Sequence, residues 1–260
     1  LPFTTKAHVR ACVEGRPDAV VLFFGRAPRA VAALKRAGVY VLHQIGTPEQ
    51  ARLALADGCD AIVAQGADAG GHLLGEVTAR ELFPRVRAVA GAAPVVVAGG
   101  VADRSDVRAA LAMGADGVLC GTRFLTTEEA FAHRLYKERV VGARETIETT
   151  LFGLAWPARH RVVPNAATRR WCGAGGRPSL VVRAAQRAAV PVRKMIPLGA
   201  GDPTLHQRLA VPLYSPAAPR PGADDRVLDV APLYAGESAR RIHRIVGAED
   251  AVRDLFRDAP

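Results

Sequence analysis

No uninterrupted apolar stretch in this 260-residue chain approaches the roughly 20 residues that a bilayer-spanning helix needs, which argues against a transmembrane segment. The first ten residues lack the basic-then-apolar order of a signal peptide, and no initiator Met precedes Leu1. The expectation is a cytoplasmic chain that begins inside a longer protein. Cysteine is sparse: Cys12, Cys59, Cys120 and Cys172 form no close pair of the zinc or thioredoxin kind. Four buried, reduced thiols are expected, and no metal site. Lysine is scarce as well, with Arg making up 31 of the 35 basic residues. Acid is missing from one stretch only. Residues 158–220 hold 11 basic residues against the single Asp202, whereas 1–157 carry 18 against 16 and 221–260 carry 6 against 8.

What is present fits a globular protein: 49% hydrophobic and 23% charged residues argue against disorder and against a fibrous repeat. The formal charge of +10 and pI near 10.2 suggest an anionic partner such as nucleic acid when read alone. The local distribution changes that. The basic stretch contains Pro164, Pro178, Pro191, Pro197, Pro203 and Pro212, and its arginines are not interleaved with aromatics as in single-strand binders. It reads as a solvated, arginine-rich cap, so no nucleic-acid partner is expected. A lesser reading is that some of its arginines attract an anionic substrate.

Five apolar runs recur at intervals of about 20 residues, apart from one longer interval holding 67–91: Asp18–Gly25, Val39–Gly46, Asp60–Gly66, Pro94–Gly100 and Asp116–Thr122. They are nearly continuous, as in strands of a parallel sheet covered on both faces. Helical patterns lie between them. Thr47-Pro48-Glu49-Gln50 offers an N-cap, a first-turn proline and a capping-box Gln, and Asp103 can cap a segment running to Met113. These helices, and one over 27–37, end at Gly58, Gly114 and Gly38. Alternating strands and helices give either an open doubly wound sheet or a (β/α)8 barrel. Five units can complete the first and cannot close the second.

In either architecture the chemistry sits at the C-terminal ends of the strands. Gly99-Gly100 and Gly121-Thr122 follow two consecutive strands there. Such turns cradle phosphate with backbone N–H groups, or else merely permit tight helix–strand packing. Two in succession favour phosphate. Earlier, Gln65-Gly66-Ala67-Asp68-Ala69-Gly70-Gly71-His72 places an amide able to donate and accept, then a histidine suited to general-base work. His72 as base and His72 as a plain polar loop residue are equally open on spacing alone. His43, also near a strand's end, is a rival. His8, His133, His160, His206 and His243 fall in helical or irregular segments and read as surface or packing residues.

The octapeptide 65–72, then Ala98-Gly99-Gly100, then Gly121-Thr122-Arg123-Phe124, resembles the nitronate monooxygenase (2-nitropropane dioxygenase) family, with a weaker echo in Pro232-Leu233-Tyr234-Ala235-Gly236-Glu237. The resemblance is close over about residues 18–157. It implies an FMN-dependent (β/α)8 TIM barrel, here strands 4–8 plus a C-terminal helical and irregular cap. Residues 1–157 would be five βα units, and 158–260 the basic cap and C-terminal helix of the same domain. It further implies that His72 is the catalytic base, that Gln65, Gly70 and Gly71 contact the flavin, and that Gly100, Leu119, Cys120, Gly121 and Thr122 bind its ribityl phosphate end. Asp68 departs from the family's usual Glu.

The implied activity is oxidation of alkyl nitronates or nitroalkanes by dioxygen to a carbonyl compound and nitrite. The alternatives are an NAD(P)H-dependent flavin reductase of quinones or enoyl thioesters, an inactive truncated remnant, and a basic nucleic-acid-binding protein.

Overall fold

A computed structural model describes residues 4–154, 156–191 and 207–256. Pro197, Pro203, Arg193, Lys194, Asp202 and His206 lie outside the described residues. Contacts group the chain into two units, one of residues up to 68 with 74–119, the other of 69–73 with 120 onward.

In the first unit each apolar run forms a parallel strand: β1 (Ala19–Phe23), β2 (Tyr40–Ile45), β3 (Ala61–Gln65), β5 (Val95–Ala98) and β6 (Gly117–Leu119), side by side in that order. A two-residue strand, β4 (Gly71–His72), belongs to the second unit. All five residues of β3 are buried, as expected of a middle strand covered on both faces. Helices α2 (Pro28–Arg36), α3 (Pro48–Ala56), α4 (Ala79–Ala90) and α5 (Arg104–Ala112) alternate with the strands, and α1 (Lys6–Gly15) precedes them. Val31, Leu34, Ile62, Leu82, Phe83 and Val95 are each at most 1% exposed and form one core. Burial of each such side chain contributes about 1.5 to 3 kcal/mol. The fold is α/β, with five βα units of the (β/α)8 TIM-barrel type.

The helix signals act as read, with one difference. Thr47 Oγ1 accepts from Gln50 N–H, and Asp103 Oδ1 accepts from Ser105 and Asp106 N–H. Gln50, however, turns its Oε1 to Gly46 N–H at 2.8 Å and does not close a box onto Thr47. The N–H one residue further back sits in a turn and needs an acceptor just as much. Within the long interval, Thr78 and Glu81 form a full capping box that starts α4.

The second unit is built around a small antiparallel sheet in the order β4, β8 (His160–Val162), β7 (Ile147–Thr149). Around it lie α6 (Thr122–Leu125), α7 (Arg134–Val141), α8 (Ala166–Trp171), α9 (Leu180–Ala189) and α10 (Ala248–Phe256). Two strands thus appear where loop and irregular chain were expected: Gly71-His72 and 160–162. Two core clusters support the unit, one with Tyr136, Val140, Leu228 and Leu233, the other with Leu151, Phe152, Val162 and Tyr214. Of the four cysteines only Cys59 is buried; Cys12, Cys120 and Cys172 are half-buried, so the expectation of four buried thiols fails at three positions.

Candidate active site

The octapeptide folds as it does because its glycines and its acid fit one another. In the first unit β3 ends on Gln65, buried, whose Oε1 accepts from Leu74 N–H at 3.2 Å. Asp68 Oδ1 accepts from Ala79 N–H at 2.9 Å, tying the loop to the start of α4. A Cβ on Gly100 would lie 2.6 Å from Asp68 Oδ2. A side chain at 100 would have to displace that carboxylate, and φ there is 70°, a conformation that favours glycine. The departure at Asp68 therefore has a role: its carboxylate joins the loop after β3 to the first residue of α4. Leu119, half-buried, ends β6 opposite Ala98 of β5.

In the second unit Gly70 and Thr122 converge on one backbone position. A Cβ on Gly70 would come within 2.5 Å of Gly236 N and 2.6 Å of the Ala235 carbonyl carbon. Gly236 N–H donates to the buried Thr122 Oγ1 at 2.9 Å. Cys120 precedes α6, and Gly121 stands at its N-cap. A Cβ on Gly121 would meet nothing within 4 Å, and the same holds for Gly71. The first N–H groups of a helix have no acceptor inside it. The Gly121–Thr122 turn thus combines such donors with open space, which fits a phosphate group.

His72 is enclosed by aromatic rings. Pairing of β4 with β8 sets it opposite His160, with ring centroids 5.3 Å apart at 65°. Trp156 stacks on it at 4.5 Å and 28°, and Tyr234 lies 5.5 Å away. Tyr234 is held in turn: its hydroxyl donates to Pro216 O at 2.9 Å, and its carbonyl accepts from the Tyr136 hydroxyl at 2.7 Å. Burial pushes the half-buried His72 down to about 4. His160 is 0% exposed; burial first, then His72, pushes it to about 3. Its Nδ1 faces the Ala158 carbonyl at 2.9 Å and must carry the hydrogen, which leaves Nε2 as a buried acceptor with no partner among the described residues. Both rings are neutral near pH 7. A neutral imidazole in an apolar enclosure can take a proton from carbon, as a general base does.

His160 and Trp156 were missed by sequence reasoning. His160 packs as a buried residue, but on a strand and against His72, not in an irregular segment. The alternation buried–partial–buried over His160-Arg161-Val162 is a strand signal, too short to stand out. Tyr234 lies in the weak motif near the end, whose other residues also find partners. Residues 233–235 run antiparallel beside β8, with Val163 N–H donating to Leu233 O at 2.8 Å. Glu237 pairs with Arg161 at 2.6 Å, and Glu148 takes the same guanidinium at 2.7 Å. One arginine of the basic stretch is therefore spent inside the unit.

The rival His43 is buried on β2, hydrogen-bonded to the Gly25 backbone, with its Nδ1 4.0 Å from Cys59 Sγ. Burial lowers its pKa and pushes the Cys59 thiol to about 11. It borders a cavity of about 220 Å³ with Phe24, Arg26, Gln44 and Leu74. His8 closes the capping box of α1 by accepting from Thr5 N–H, His133 caps α7, and His243 is exposed.

The nitronate monooxygenase family model matches residues 1–258. A nitronate monooxygenase of Pseudomonas aeruginosa is 41% identical over 152 residues, covering 54% of this chain and 43% of that protein. A putative monooxygenase of Mycobacterium tuberculosis is 33% identical over 221 residues, 85% of this chain and 53% of its own length. The chain spans about half the length of the curated relatives it matches. Among solved structures, nitroalkane oxidase from Streptomyces ansochromogenes superposes with a TM-score of 0.71 at 25% identity, over 97% of this chain and 67% of that one. FabK from Thermotoga maritima gives 0.69 at 26% identity, over 96% and 70%. The family is one of flavin-dependent oxidoreductases. With its motifs and its fold both accounted for, the chain belongs to the nitronate monooxygenase family.

Proposed function

We propose that the protein oxidises alkyl nitronates and nitroalkanes with dioxygen, using FMN, to a carbonyl compound and nitrite. The observation that carries this reading is His72: a neutral imidazole, stacked on Trp156 and enclosed by His160 and Tyr234, on the strand that ends the octapeptide. When bound, FMN supplies the electron-accepting and dioxygen-reactive chemistry. Of the chain's own residues, Cys120, Gly121 and Thr122 would hold the phosphate end in the second unit, supported by the open N–H turn there. Gly70 and Gly71 would border the flavin in that unit, and Gln65, Gly100 and Leu119 are assigned to it in the first. His72 takes the α-proton of a neutral nitroalkane; a nitronate arrives without that proton and needs no base. A cytoplasmic location belongs to the same proposal.

The experiment is nitrite release and oxygen uptake by FMN-loaded protein with nitroethane. The His72→Ala variant should lose nitroalkane turnover and keep bound flavin; full activity in it would remove His72 from the mechanism. A second reading is NAD(P)H-dependent reduction of quinones or enoyl thioesters; a relative named as a carboxyl-CoA dehydrogenase, 42% identical over 136 residues, favours thioester chemistry. Rapid anaerobic bleaching of the flavin by NADH would select it.

A further inference from the structure

Trp156 stands outside the octapeptide and both glycine loops, yet its indole makes the closest ring contact recorded for His72, 4.5 Å between centroids with 28° between planes. The stacked geometry puts the imidazole over the electron-rich π face of the indole. A neutral ring gains modestly from that placement. A protonated ring gains a cation–π attraction, strongest for Trp among the aromatic side chains. His160 of β8 and Tyr234 of the segment beside it are titratable groups that face His72. Burial holds both of these neutral near pH 7. Arg161, next along β8, is paired with Glu148 and Glu237.

We propose that Trp156 is a positioning residue that stabilises the protonated form of His72, its indole face carrying the positive charge the imidazole acquires on removing the α-proton of a nitroalkane. The proposal rests on the reading of His72 as the base. In that step the substrate C–H bond breaks, its electron pair stays on the nitronate, and the proton becomes an N–H of His72. Trp156 forms no bond; it makes His72 a stronger base than its burial alone would allow. Its loss should slow turnover of neutral nitroalkane and spare turnover of the preformed nitronate.

The test is an NMR titration of the His72 ring in the wild type, Trp156→Phe and Trp156→Leu, with the nitroethane and ethylnitronate rates of each. The expected proton affinity falls in the order Trp, Phe, Leu, the last lying about twofold to thirtyfold below wild type. A space-filling Trp156 predicts the opposite sign, because a smaller side chain admits water and eases the charge on His72. Equal titration in all three proteins, or a higher affinity in the Leu variant, overturns the proposal. Should Trp156→Leu not fold, the wild type and Trp156→Phe decide by the same sign. A graded titration in a protein that turns over no nitroalkane would sink the proposed function alone. An ungraded one in an active enzyme would sink the role of Trp156 alone.

Discussion

The facing pair His72 and His160, both held neutral by burial, makes the stability of the second unit depend on pH, and His160→Phe isolates the larger share. The unfolded chain protonates His160 near the ordinary 6.5, whereas the folded chain does so only at about 3. A folded-state pKa below the unfolded value contributes nothing to pH dependence above 6.5 and costs stability as pH falls through the window between the two. Between about pH 7.5 and about pH 4.5, the free energy lost through this one side chain is about 2 to 3 kcal/mol, from 1.36 kcal/mol per pKa unit across the part of the window crossed. Phenylalanine fills nearly the same space, cannot titrate, and gives up the contact with Ala158 O at 2.9 Å, a cost of about 1 kcal/mol that is the same at both pH values. Urea unfolding of wild type and variant at the two pH values reads the double difference directly. The variant should lose about 2 to 3 kcal/mol less than wild type on acidification. Equal losses would refute the burial of a neutral histidine at 160.

Two further substitutions probe the supports of the site. Gly70→Ala puts a methyl group 2.5 Å from Gly236 N, so it should destabilise the protein by about 1 to 3 kcal/mol and weaken FMN binding, checked by thermal unfolding and flavin titration. Arg161→Leu removes the cation that Glu148 and Glu237 share, whose side chain is 11% exposed, and leaves them only the longer contacts to Arg159 and Arg240. It should cost about 1 to 3 kcal/mol, reduced by added salt less than a surface pair would be, as read by denaturation at two ionic strengths.

The first unit was legible because its signals are local. Continuous apolar runs, Thr47 and Asp103 as caps, and glycines closing helices all act within a few residues of where they stand. The second unit depends on partners far apart in the chain. His72 meets His160 through a two-residue strand with no apolar pattern, and Gly70 meets Gly236 across more than half of the sequence. Neither pairing leaves a periodic trace. Asp68 shows the intermediate case: its place in the motif was visible, but its bond to Ala79 N–H and its fit against Gly100 were not. The charge of the 158–220 stretch also looked uniform in sequence, whereas Arg161 turns inward to two carboxylates and Arg170 lies over Trp171 at 5.3 Å.

The central claim is that His72 serves as the base in nitroalkane oxidation. The most direct measurement compares nitrite formation from nitroethane and from ethylnitronate by FMN-loaded wild type and His72→Ala. The account predicts that the variant retains flavin, loses nitroethane turnover and still consumes ethylnitronate. Equal nitroethane turnover by the two proteins, or no nitrite from either substrate with flavin-loaded wild type, would contradict it.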